Sequence, residues 1–321
     1  MGLREESAGA PGPVRAQQSY RHEAFLWRRP EDYTRGMVEF VLDGLDAGEA
    51  VMAAVLPEHA QWLGQSLGAR ADQVEFVDIT EMGRNPARII PAWQKFVETH
   101  SGYGRPARGI GEPIWPERSA DELVECQLHE ALLNLAVDPD IPFWLVCPYD
   151  EEQLAPEVIA EAYRSHPVVS TADSYQGSPR YVGRAHAHAL FTTSLPELTA
   201  EPVQLVVGAG NTDDVPVFVT LQAVRANLAS DQVVHLADAV RRLVLRSLTG
   251  GASEVTVRLW HQSDGLVCEV ADVVCVDDYL IGRRRPSPSG DDSVWQANLT
   301  HDLVQVRSGE GGTTIRLHQR S

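Results

Sequence analysis

Apolar and polar positions along the first half of the chain switch between two periods. Short apolar runs at Glu23–Trp27, Ala50–Leu56, Val74–Asp78, Ala107–Ile110 and Phe143–Val146 predict strands. Between them, apolar residues recur every three or four positions, the spacing of one helix face. Pro30 to Leu45 is such a segment, with Pro at its start and Met37, Val38, Val41, Leu42 and Leu45 on one face. Glu58–Leu67, Pro86–Glu98 and Pro156–Arg164 read likewise. Ser119–Ala136 carries an S-x-x-E capping box in Ser119 and Glu122. Strand and helix in alternation predict an open, mostly parallel α/β sheet over residues 20–169.

The second half changes character. Ser170 to Val215 is rich in Ser, Thr, Pro, Gly and Asp, and reads as a linker (170–215) leading into a second domain. From Pro216, Leu221–Leu228 and Asp231–Leu248 predict helices, the second presenting Leu236, Val240, Leu243, Val244 and Leu248 before the stop at Gly250-Gly251. Glu254–Trp260 and Leu266–Ala271 alternate as strands about Ser263-Asp264-Gly265. A Pro/Ser/Gly/Asp-rich loop, Arg283 to Ser293, precedes a short helix and two strands, Leu303–Arg307 and Thr313–His318. This order predicts an α+β sandwich over 216–321. Residues 1–19 read as a disordered lead-in, since Met1 to Gln17 lacks the apolar stretch of a signal peptide or anchor.

Composition narrows the function classes. With 321 residues, 43% hydrophobic, there is material for two cores, and no apolar run reaches membrane-spanning length. A formal net charge of -18 repels phosphate backbones, so direct nucleic-acid binding is not expected. Lys95 is the sole lysine, which leaves little for a phosphate loop or Schiff base. Cys126, Cys147, Cys268 and Cys275 form no C-x-x-C pair, as expected for a cytoplasmic chain.

Candidate chemistry is sparse. After the first strand stands Arg28-Arg29-Pro30-Glu31-Asp32, with none of the glycines that wrap a phosphate, so Walker-type binding is not expected. Gly109 to Pro116 follows a strand, where α/β sheets bind ligands; Glu112 offers a carboxylate and Trp115 a wall, or the loop is a rigid plug. On the capped helix Glu122, Glu125, Cys126 and His129 share a stripe, on which His22 and His166, flanking the domain, could converge. The pair Glu125 and His129 suits a metal or a structural hydrogen bond, but a metal needs three or four ligands, so none is assigned. Cys147 ends a strand as a sensing or inert thiol, and His186 with His188 are a weak metal signal, read in preference as part of a solvated linker. No nucleophile elbow or H-E-x-x-H is present.

Several stretches resemble the MEDS sensory domain (methanogen/methylotroph, DcmR type). They are His22-Glu23-Ala24, Gly44 to Glu49, Asn85-Pro86-Ala87-Arg88, Gly111 to Trp115, Glu125 to Asn134 and Cys147-Pro148-Tyr149-Asp150. The resemblance implies a RecA/KaiC-like sheet without a P-loop that senses small, hydrocarbon-like ligands, with His22, Glu112, Trp115, Glu125, His129 and Cys147 as its ligand-binding residues.

Val257 to Trp260, Leu266 to Val270, Asp302 to Ser308 and Gly311 to His318 resemble the histidine-kinase-type (GHKL, Bergerat-like) ATPase of anti-sigma regulators. The two halves together are similar to RsbA-type anti-sigma regulatory proteins of actinobacteria. Such ATPases use a helix Glu as base and an Asn four residues on for Mg²⁺; here Arg242 and Arg246 stand at those positions. Arginine neither holds Mg²⁺ nor acts as a base near neutral pH. Asp272 survives from the adenine-binding loop without its glycines, and Asp291-Asp292 sit where phosphate would. The resemblance with these losses implies a pseudo-ATPase, needing no cofactor, that binds a sigma factor or anti-sigma antagonist. An active serine/threonine kinase or ATPase, and a metal- or haem-linked sensor using His129, Cys126 or Cys147, stay open as alternatives. So do the ligand and the oligomeric state, a homodimer included.

Overall fold

The computed structural model describes residues 19–101 and 104–321. The expected lead-in, apart from Ser19, lies outside the described residues. The first half alternates as its periodicity implies: β1 (Arg21–Trp27), α1 (Pro30–Asp46), β2 (Ala50–Val55), α2 (Pro57–Leu67), β3 (Val74–Asp78), the short α3 (Ile79–Met82), α4 (Ile89–Ser101), β4 (Ala107–Gly111), α5 (Ala120–Ala136), β5 (Phe143–Asp150) and α6 (Pro156–Ser165). A single 3-10 turn, Pro86–Arg88, precedes α4, so the expected Pro86–Glu98 helix starts tighter than an α-helix. Ser119 and Glu122 form the capping box on α5.

These strands join one seven-stranded sheet in the order β3-β2-β4-β5-β1-β6-β7. All neighbours run parallel except the last pair, β6 (Val168–Thr171) and β7 (Ser174–Gly177). Alternation along β1 sends Phe25 and Trp27 to the face covered by α1 and α2, and Ala24 and Leu26 to the opposite apolar cluster, which includes α4 and α5 residues.

The 170–215 segment is more ordered than its composition implies. It supplies β7, α7 (Arg184–Thr192) and β8 (Val203–Val207). β7 is exposed at all four positions, so no apolar alternation marks it. The rest is α8 (Asp214–Arg225), α9 (Ser230–Thr249), β9 (Val255–Gln262), β10 (Gly265–Asp272), α10 (Ser293–Thr300), β11 (Leu303–Gly309) and β12 (Gly312–Arg320). The second sheet, β11-β12-β10-β9-β8, is antiparallel throughout.

The two halves share one core. Leu128 and Leu132 of α5, Phe191 of α7 and Leu236, Leu259 and Leu317 of the second half belong to a single contiguous cluster of buried apolar residues. Polar contacts reinforce the junction. Asn85 donates to Asn298 Oδ1 at 2.9 Å, and Arg88 donates to the carbonyls of Asn298 and His301 at 2.7 and 2.9 Å. Among the described residues no helix is long and apolar enough to cross a membrane.

Candidate functional site

The residues singled out in the first half fall into three places. His22 and Cys147 come together. They sit on adjacent parallel strands, with His22 aligned to Leu145 and Ala24 to Cys147, so both project to the α5 side. Glu130 of α5 and His166, just past α6, complete a buried group of four. His22 Nε2 lies 3.0 Å from Glu130 Oε2 and 3.4 Å from Cys147 Sγ, and His166 Nε2 lies 3.2 Å from the same carboxylate oxygen. Burial, then His166, push the His22 imidazole pKa down. Burial pushes the Cys147 thiol well up. Burial works against the Glu130 carboxylate too, yet hydrogen bonds from His166 and His22 outweigh it and hold the group below the usual carboxylate range.

Glu112 and Trp115 lie elsewhere. Glu112 is buried and already engaged, with His59 Nδ1 at 2.7 Å and the Leu56 backbone N–H donating at 2.9 Å. Tyr33, Trp62 and Trp27 pack around the His59 ring. Trp115 lies under Arg118, whose guanidinium carbon is 3.6 Å from the ring centroid. Gly109 and Gly111 have a packing reason: a Cβ on Gly109 would meet the Trp93 indole at 2.7 Å, and one on Gly111 at 3.1 Å.

Glu125 and His129 do not form the expected pair. The Glu125 carboxylate is fully buried and held by Arg283 and by Arg307 of β11, the latter at 2.6 Å. Burial drives the His129 imidazole down to about 3, and its Nδ1 has no hydrogen-bond partner among the described residues. The physical reason is that α5 is buried nearly all round, so its polar residues find partners in different directions. Of the linker histidines, His186 is buried against Glu161 at 2.8 Å and His188 meets the Tyr279 hydroxyl at 2.8 Å, so the solvated-linker expectation fails for His186.

In the second half, Arg242, Arg246 and Asp272 line one cavity of about 540 Å³ together with Asp291 and Asp292. Arg246 pairs with Asp291 at 2.8 Å, and Arg242 with Asp238 at 2.7 Å and Asp292 at 3.6 Å. Asp272 accepts the Val274 N–H at 2.6 Å. The cations of α9 thus face a loop of acids.

Sequence reasoning missed the roles of Glu130, Asn134, His59, Arg283 and Arg307. Glu130 and Asn134 stand four apart on one helix face, a spacing that marks partners. Arg283 lies in an irregular loop where no periodicity points to it. Comparison with curated proteins finds no match to the chain. Residues 21–167, the span that holds His22, Glu130, Cys147 and His166, match the family model of the MEDS domain, the MEthanogen/methylotroph, DcmR Sensory domain.

Proposed function

We propose that this protein is a non-catalytic signal-transduction and transcription-regulatory protein. Its MEDS-like half senses, and its second half, read as a degenerate GHKL-type domain, binds a sigma factor or an anti-sigma antagonist. The observation that carries this reading is helix α5. The same helix presents Glu130 to the buried cluster and, five residues earlier, Glu125 to Arg283 and Arg307 of the second half. A change in the cluster that shifts α5 alters both contacts at once. A ligand acts through it only by binding one arrangement better than the other.

The arginine-lined cavity supports the non-catalytic part. A nucleotide there would displace the Arg246–Asp291 pair and still meet three aspartates, Asp272, Asp291 and Asp292, and among the described lining residues no carboxylate-amide pair for Mg²⁺. Immobilised full-length protein tests the partner assignment against purified sigma factors and antagonists of the source organism. Retention of one of them, weakened by Arg283→Met, is expected. Failure to retain any, where an intact relative retains its own, contradicts the reading.

A further inference from the structure

We infer that His22, Glu130, Cys147 and His166 form a closed, four-ligand site for a divalent transition-metal ion of the zinc type. The inference goes beyond the signalling reading and rests on donor geometry alone, so a failed metal test leaves that reading standing.

The separations fit. A tetrahedral zinc, about 2.0–2.1 Å from nitrogen and about 2.3 Å from sulfur, spaces its donors about 3.3–3.6 Å apart. The observed pairs are at 3.0, 3.2 and 3.4 Å, and all four donor atoms lie within 4.8 Å of one another.

The tautomers point the same way. The Asn134 amide donates to the Ser165 carbonyl at 2.7 Å, so its Oδ1 faces His22 Nδ1 at 3.2 Å and must accept. His22 therefore carries its proton on Nδ1. His166 Nδ1 faces the Ala162 carbonyl at 2.9 Å, which only accepts, so it too holds its proton there. Once each ring gives up any proton it shares with Glu130 Oε2, both Nε2 atoms turn lone pairs into the space beside that oxygen. The Cys147 thiol supplies one proton to this group. The second Glu130 oxygen, Oε1, has no hydrogen-bond partner among the described residues. One divalent cation satisfies all four donors, and Nδ1–H groups tied to an amide and a carbonyl are the usual outer support of metal-bound histidine.

Charge also balances. Binding displaces the thiol proton to solvent, and the thiolate and carboxylate cancel the two charges of the ion. A neutral site is what a fully buried position requires. Two imidazoles, one thiolate and one carboxylate suit zinc over magnesium or calcium, which take oxygen ligands.

The test is Co(II) titration of the chelator-treated full-length protein, followed by displacement with Zn(II). The expected result is one equivalent of cobalt with thiolate-to-cobalt absorption, abolished by zinc. The absorption disappears in Cys147→Ser and persists in Cys126→Ser, whose thiol donates to the Pro113 carbonyl away from the site. Asn134→Ala keeps all four ligands and lowers cobalt affinity about 10–100-fold. Absence of cobalt uptake, thiolate absorption that survives Cys147→Ser, or unchanged affinity in Asn134→Ala overturns the inference.

Discussion

Arg307, on the antiparallel sheet, places its guanidinium 2.6 Å from the carboxylate of Glu125, in the second turn of the helix α5 that packs on the parallel sheet. Both side chains are buried, and Arg283 closes on the same carboxylate. Two guanidinium groups meet on one carboxylate in the core, so the arrangement depends on the Glu125 side chain. Glu125→Gln leaves both arginines without their counter-charge and should cost about 3–5 kcal/mol of stability. Urea denaturation measures it. A triple change to Glu125→Leu, Arg283→Met and Arg307→Leu should recover most of the loss, because apolar groups of similar volume replace the whole cluster.

Gly109→Ala tests the packing role of the glycine strand. The new methyl would sit 2.7 Å from the Trp93 ring in a filled core. Overpacking of this kind costs about 1–3 kcal/mol. A lower urea midpoint with an unchanged slope is expected; a variant as stable as the parent would show that Trp93 gives way freely.

How much of this was legible in the residues differs by element. The capping box at Ser119 and Glu122 and the proline-led starts of α1 and α6 placed those helices within about one residue, since caps are local chemistry. The short edge strand β7 was hidden, because edge pairing needs no apolar alternation. The stripe of Glu125 and His129 misled for another reason. Choosing a functional face presumes that a helix has a wet face, and α5 has almost none. Which buried polar residue meets which partner is then settled by β1, β11 and the 283 loop, all remote in sequence. Of the six residues expected to bind a ligand in the first half, His22 and Cys147 share a cluster, and His166, noted with His22 as flanking the domain, joins them.

His301 should make the protein acid-sensitive. Burial pushes its imidazole from 6.5 down to about 4, with Asp302, His235 and Arg88 as its charged and titratable neighbours. The native state holds the ring neutral while the unfolded chain protonates it near 6.5. Stability from this group is therefore complete above that pH and falls as pH drops towards about 4, by up to about 1.4 kcal/mol per pH unit. Urea midpoints between pH 4 and 7 should fall less steeply in His301→Gln than in the parent. Equal slopes would mean that the ring is protonated in the fold.

Nucleotide binding separates the regulatory reading from the catalytic one. Calorimetry with ATP and Mg²⁺ should show no binding tighter than about 1 mM, near -4 kcal/mol. Tighter binding would mean that Arg242 and Arg246 leave their aspartates to hold phosphate, and the kinase or ATPase reading would return.

Coupling of the buried cluster to the second half through α5 is open to one measurement. Amide hydrogen exchange on the full chain, parent against His166→Ala, measures that coupling most directly. Lost protection at residues 120–136 is expected to extend into residues 278–309, where Arg283 and Arg307 grip Glu125. Lost protection confined to residues 20–169, with 278–309 unchanged, would contradict it.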